Sequence, residues 1–275
     1  MNFEIRKISH ALGAEITGLD ISKPLDGETL NAINSAFLEH CVLVFRGQRV
    51  TREQHLAFTR YFGEVEGTDL HTNRHLEYPG ITLIVNKPTP DGKAPTGRYN
   101  GQDWHTDESH TLTPSKATLL RAIELPEVGG DTMFANCYRA YDTLSEGMKK
   151  LIDGLYGGHI QLGKQRRPGF VAAHPIVRVH PETGRKALFL GRRIRHIIDM
   201  TAEESAPLLR FLNEHATRPQ MVYRHVWQKD DFVMWDDRCT LHIALADFDR
   251  TRVRHMERTA VIGNTTGYSY EGPLE

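Results

Sequence analysis

Apolar residues recur along this chain in two rhythms. In positions 26–40 (DGETLNAINSAFLEH), Leu30, Ile33 and Phe37 repeat at helical spacing, and Asp26 stands where an N-cap would accept the first free amides. Thr51-Arg-Glu-Gln54 and Thr201-Ala-Glu-Glu204 have the form of capping boxes. The first opens a helix running toward Tyr61, and the second one that buries Leu208, Leu209 and Leu212. Tyr141, Leu144, Met148 and Leu151 predict a further helix. The other rhythm is short β runs: 41–45, 81–86 (ITLIVN), 116–125 (KATLLRAIEL), and PIVRVH and KALFL on either side of the turn Pro181-Glu-Thr-Gly184. The last third adds QMVYRHVW, DFVMW and a strand over 252–262. Strands separated by turns, with helices outside the hairpins, favour an antiparallel sandwich over a parallel α/β sheet. The expected fold is mainly β with flanking helices, a double-stranded β-helix or jelly roll. No repeat, low-complexity tract or linker interrupts it, so a single domain over 1–275 is expected.

Composition narrows the partners. A formal charge of −1 over 275 residues gives no global reason to bind nucleic acid or an anionic membrane, so any basic character is local. Cys41, Cys137 and Cys239 are odd in number and lack CxxC spacing, which fits reduced core thiols better than a disulfide scaffold. The first twenty residues carry charges throughout, and no apolar run approaches the ~18 residues of a membrane span. A cytoplasmic protein is expected, with its oligomeric state open and a homo-oligomer among the options. Fifteen histidines are a high load for this length, and most must be packing or surface residues.

Candidate chemistry starts at Gln102-Asp-Trp-His105-Thr-Asp107, which contains the only His-x-Asp in the chain. If this segment is extended, residues i and i+2 project on one face and can reach one cation together. They would supply two-thirds of a two-histidine, one-carboxylate facial triad, which leaves positions open on Fe(II). A third ligand comes from FVMWDDRCTLH, where a strand runs into a polar turn and presents His242. By strand parity Arg252, Arg254 and Arg258 share a face while His255 and Glu257 point away, which favours His242 over His255. In Gly129-Gly-Asp-Thr132 the glycines permit a tight turn that can set the Thr132 hydroxyl beside an arginine fork, a clamp for a dicarboxylate.

WHTD, ELPEVGGDT with AYDTLS, HPIVRVHPETGRKALFL, VMWDDRCTLH and RTAVIG, in that order and with LGAEITGLDISKPL and CVLVFRGQ before them, resemble the TauD/TfdA family of taurine and 2,4-dichlorophenoxyacetate dioxygenases. The resemblance runs almost end to end. It implies iron at His105, Asp107 and His242, 2-oxoglutarate and O2 as co-substrates, and Thr132 and Arg254 on the remote carboxylate of 2-oxoglutarate. It implies further that Arg258 meets an acidic group of a small anionic substrate, and that His75, Tyr78 and Asn100 lie near it. Oxidative decarboxylation to succinate and CO2 would then drive oxidation of a substrate C–H bond, with the protein contributing position. The sequence departs from the taurine enzymes at Gly101, at Ile194 in place of an aromatic residue, and at Asp237, where the usual WDNR motif has Asn. The runs Arg192-Arg-Ile-Arg195 and Lys164-Gln-Arg-Arg167 add positive charge suited to an anion. Two rivals remain at this stage: a jelly roll that binds a metal or small acid without turnover, and a zinc hydrolase, which would leave the Thr132/Arg254 clamp without a role.

Overall fold

The computed structural model describes residues 3–67, 73–96, 101–162 and 170–272. Its centre is a seven-stranded sheet in which Phe232–Asp236 lies between Val42–Phe45 and Ala117–Glu124, antiparallel to both. Arg254–Val261 and Thr82–Asn86 extend the sheet on one side, and Ala14–Thr17 and Glu4–Lys7 on the other. Val42–Phe45 is an unbroken apolar run because both faces of this sheet are covered. Val42, Val44, Leu120, Val233 and Trp235 point into one core cluster, while Leu43, Phe45, Leu119, Phe232 and Met234 alternate into a second.

Helices Gly27–His40 and Arg52–Arg60 close the second cluster with Ile33, Phe37 and Phe58. The first cluster packs against three smaller sheets. These are Val222–His225 with Thr132–Asn136 and Thr240–Ala244, a four-stranded sheet built on Tyr156–His159 and Val171–Pro175, and the hairpin Val177–Val179 with Lys186–Leu188. The result is the expected jelly roll.

The helix starts follow their local signals. Asp26 accepts the Thr29 amide, and Thr51 and Thr201 each form the full reciprocal capping box. Two expectations need correction. The apolar series Tyr141 to Leu151 is two helices, Cys137–Asp142 and Glu146–Ile152, because the Ser145 hydroxyl accepts the Met148 amide and starts a new helix. Leu151 consequently faces outward, 54 % exposed. Arg252 does not share a strand face with Arg254 and Arg258: it lies in the turn before the strand, its amide bonded to the Asp249 carbonyl, and Arg254–Val261 begins two residues later.

Several of the many histidines serve this packing. His180, His225 and His55 are buried against Asp236, Asp231 and Thr259. The three cysteines are free and buried, and burial pushes the Cys137 thiol up to about 12 and Cys239 well above its ordinary value. No helix among the described residues is long and apolar enough to cross a membrane.

Phe232 shows how much of the stability this double burial carries. It is fully buried and meets Phe45 and Phe58 edge-on. Phe232→Ala is expected to cost about 3–5 kcal/mol, whereas Leu151→Ala should cost under about 1 kcal/mol. Urea unfolding of the two variants checks this, and equal losses would contradict the two-sided burial of the sheet.

Candidate active site

His105 and His242 are brought together by backbone pairing. An isolated antiparallel bridge joins them, with the His105 amide donating to the His242 carbonyl (3.0 Å) and the His242 amide to the His105 carbonyl (2.8 Å). Residues directly opposite in such a bridge put their side chains on the same face, and here the ring centroids are 4.1 Å apart. Gly191 makes the approach possible: at φ 118° it lies so close that a Cβ would sit 3.0 Å from the His105 Cα. Asp107 follows two residues on, with Oδ1 3.8 Å from His105 Nε2 and 3.9 Å from His242 Nε2.

The protonation states suit a cation. Burial pushes both imidazoles down, His242 to about 3 with help from His105, so each offers a neutral ring nitrogen. His105 Nδ1 lies 2.7 Å from the Asp103 carbonyl and can donate to it, which turns the lone pair of Nε2 toward Asp107. Burial alone would raise the Asp107 carboxyl, but Arg258, then His242 and His105, carry it well below the usual range. The ligand atoms of the three residues lie within 4.8 Å of one another, and the set of two histidines and one carboxylate, beside a cavity, is the donor set suited to Fe(II) with open positions. A second cluster, His180, Asp236 and Cys239, is already engaged: Asp236 accepts from Arg238 Nε and Nη2 and is bonded to His180.

Behind Asp107 lies a network that only the structure reveals. The Thr118 hydroxyl is 2.8 Å from Asp107 Oδ2 and 2.7 Å from Asp237 Oδ2. One hydroxyl proton cannot serve both carboxylates. Burial, then the neighbouring Asp107, holds the Asp237 carboxyl well above its ordinary value. Protonated at Oδ2, Asp237 donates to Thr118, which donates to Asp107, while Asp237 Oδ1 accepts from Trp235 Nε1 and the Asp107 amide, each at 3.1 Å. A neutral Asp237 thus donates and accepts as an asparagine would, which explains physically why Asp can stand in a motif that usually has Asn.

A cavity of about 370 Å³ opens over the three residues and is lined also by Thr132, Arg192, Arg193, Arg254 and Arg258. Thr132 Oγ1 accepts the Trp227 indole N–H at 3.0 Å, leaving its own proton to donate. Arg254 Nε donates to the Gly130 carbonyl at 2.9 Å, and a Cβ on Gly130 (φ 73°) would lie 3.0 Å from that Nε. Gly129 (φ 80°) is equally constrained, since its Cβ would fall 2.3 Å from the Asp247 carbonyl oxygen. The GGDT motif is therefore the fit of a turn against Asp247 and Arg254.

Arg258 reaches the cavity too, but in company: Asp107 at 3.1 Å and Glu66 and Glu108 each at 3.7 Å. Tyr78 and His75 are not brought to the cavity. The Tyr78 hydroxyl bonds Glu53, and the His75 ring accepts the Glu77 and Tyr78 amides, whereas nearby Asn73 does line it. Asn100 and the run Lys164 to Arg167 lie outside the described residues. Gly101 is in the lining with φ 81°, 3.5 Å from His105 Cε1 through its notional Cβ.

Comparison with known proteins agrees with this geometry. Residues 4–260 match the family described as Taurine catabolism dioxygenase TauD, TfdA family. A 2,4-dichlorophenoxyacetate dioxygenase from Burkholderia sp. (strain RASC), named as α-ketoglutarate-dependent, is 33 % identical over 279 residues, 94 % of each chain. An alkylsulfatase from Acinetobacter baylyi is 35 % identical over 288 residues, 96 % of this chain and 86 % of its own. The crystal structure of a taurine dioxygenase from Burkholderia xenovorans superposes with a TM-score of 0.85 at 32 % identity, covering 99 % of this chain and 96 % of the other. The chain belongs to the TauD/TfdA family. It is an Fe(II)- and 2-oxoglutarate-dependent dioxygenase.

The reading of Asp237 yields a direct test. Asp237→Asn should keep the fold and succinate formation near the starting level, because the amide reproduces both the donor and the acceptor. Asp237→Ala should lose about 1–3 kcal/mol, leaving the Trp235 N–H and the Asp107 amide without their acceptor. Thermal melts and a succinate assay distinguish these; a collapse of activity in Asp237→Asn would mean that the ionised carboxylate is needed.

Proposed function

We propose that this dioxygenase oxidises a small organic anion, with iron held by His105, Asp107 and His242 and the remote carboxylate of 2-oxoglutarate held by Thr132 and Arg254. One observation carries the reading: a single cavity of about 370 Å³ is lined by the two histidines, Asp107, Thr132 and Arg254, a volume within the range of small-ligand sites. A zinc hydrolase would need the first three but not the last two.

When bound, Fe(II) with 2-oxoglutarate and O2 supplies the oxidising power, and the co-substrate leaves as succinate and CO2. The chain's own residues position the reactants. Thr132, its oxygen occupied by Trp227, presents a hydroxyl proton to a carboxylate, and Arg254 adds a guanidinium whose orientation Gly130 sets. Arg254 and Arg258 are four residues apart on one strand, about 13 Å by strand rise, which leaves room between a co-substrate anion and a second one. Buried arginines beside the cavity, together with relatives named for an aryloxyacetate and for alkyl sulfates, support an anionic substrate. Three free thiols support a cytoplasmic setting.

His105→Ala, Asp107→Ala and His242→Ala are each expected to abolish succinate formation in a folded protein. His255→Ala, whose ring lies beside Glu257 at 3.9 Å, should be mild. Loss of iron binding in the His255 variant with retention in the His242 variant would overturn the ligand assignment. Arg254→Lys should raise the KM for 2-oxoglutarate by about 10- to 100-fold, the loss of a charge-assisted bond worth about 1.5–3 kcal/mol. A screen of aryloxyalkanoates, alkyl sulfates and sulfonates for succinate formation tests the substrate class; stimulation by neutral or cationic compounds alone would refute it.

A further inference from the structure

Three carboxylates gather on the Arg258 guanidinium: Asp107 Oδ2 at 3.1 Å, Glu66 Oε2 at 3.7 Å and Glu108 Oε1 at 3.7 Å. One positive charge balances only one of them. Asp107 also faces the two histidines, and the other oxygen of Glu108 lies 3.6 Å from His110 Nε2 while its charge acts on Arg193 as well. Glu66 is placed differently. Among the described residues the charged groups that face it are Arg258 from the strand Arg254–Val261 and Asp107 and Glu108 from the turn at 107–110, so one attracts it and two repel it. Its Oε2 is shut away from water and has no hydrogen-bond partner among the described residues.

Backbone pairing holds Glu66 in this position. Val65 bridges Val261, with the Glu66 amide donating to the Ala260 carbonyl at 2.8 Å and the Ile262 amide donating to the Glu64 carbonyl at 2.9 Å. Glu66 is therefore opposite Ala260, on the face that Ala260 shares with Arg258 two residues earlier in the strand. That face looks to the cavity, which Arg258 and Glu108 help to line. An acid group arriving at Arg258 brings a fourth negative charge into the enclosure. Fe(II) and the 2-oxoglutarate dianion enter with no net charge between them, so loading the site does not relieve the excess. A proton does relieve it. Burial first, then Glu108, pushes the Glu66 carboxyl up to about 7, which makes it ready to take a proton near neutral pH.

We propose that Glu66 is protonated when the substrate's acid group is on Arg258 and donates a hydrogen bond to that group, so that binding an anion takes up a proton from solvent. This rests on the anionic-substrate reading above and adds a second residue to it: Arg258 supplies the charge, and Glu66 supplies a neutral donor. The sign of the pH dependence follows. Below about 7 Glu66 already holds its proton in the empty site, and anion affinity is full. As pH rises above that value the proton must be acquired on binding, and affinity falls by up to about tenfold per pH unit. Glu66 thus acts as a positioning residue that favours a ligand oxygen able to accept its proton.

The test is binding calorimetry on the full chain loaded with Mn(II) and N-oxalylglycine, an unreactive analogue of 2-oxoglutarate, which keeps His105, Asp107 and His242 out of the titration. The probes are phenoxyacetate and hexyl sulfate, both ionised throughout, and the neutral phenoxyacetamide. Each is titrated at about pH 8 in Tris and in HEPES, whose different ionisation heats let the measured heats count protons taken up. The unaltered protein should take up more than about half a proton per anion and none per amide, and its anion affinity should fall by up to about tenfold from pH 7 to pH 8. Glu66→Gln keeps a donor but has no titrating proton, so it should bind the same anion without uptake and with affinity level over that range. N-oxalylglycine affinity reports folding, and Glu66→Ala, also expected to show no uptake, replaces the glutamine variant if that does not fold. Uptake that persists in the variant, or anion binding without uptake in the unaltered protein, overturns this proposal alone. Anions that bind no more tightly than the amide overturn the broader reading with it.

Discussion

The pair of backbone hydrogen bonds between His105 and His242 is the constraint on which the site depends. These residues lie far apart in the chain, one outside any strand and the other within Thr240–Ala244, yet their amides and carbonyls are exchanged as in a regular ladder. Side-chain direction then follows from strand geometry and needs no separate device. Asp107 joins the two rings from two residues beyond His105, where the chain leaves the bridge and enters a turn at 107–110. Gly191 supplies the clearance, and the hydrogen-bonded chain through Thr118 and Asp237 fixes the carboxylate. The three ligand candidates are thus set by the sheet and its edges, not by flexible side-chain reach.

Positioning the site also explains the shape of the sheet. Strand Phe232–Asp236 lies at its centre, sends Phe232 and Met234 to the helix side and Val233 and Trp235 to the cavity side, and ends at Asp236, with Asp237 opening the turn that follows. Asp236 ties Arg238 and His180, so the PETG turn is anchored to the end of this strand. Asp237 ties Trp235 to the Asp107 amide. One five-residue strand thereby joins both hydrophobic clusters to the reacting end of the molecule.

Much of this was legible from residue order, for identifiable reasons. The capping boxes at Thr51 and Thr201 are local and depend on four residues each, so they survive any tertiary context. The three candidate ligands were legible because a His-x-Asp pair and a distant histidine after a strand can be picked out from residue order alone. Contacts between residues remote in sequence were not legible. Nothing in the strand Ala117–Glu124 marks Thr118 as the bridge between two carboxylates, and the crowding of Arg258 by Glu66 and Glu108 cannot be inferred from spacing. Glu108, directly after Asp107, carried the one available signal: an acid beside a candidate ligand demands a partner. Tyr78 failed as a guide because its hydroxyl found Glu53 on a helix that the sequence could not orient, and Arg252 because a turn, not a strand, precedes Arg254.

The burial of the thiols bears on the chemical durability of an enzyme that consumes O2. Oxygen activation beside a reduced metal exposes nearby protein to oxidants whenever turnover misfires, and cysteine is attacked through its thiolate. In Cys137 and Cys239 burial holds the sulfur in the protonated, weakly nucleophilic form, and neither is open to solvent. The packing that closes the core therefore also keeps the first step of the sulfenic-to-sulfonic ladder out of reach for these two side chains.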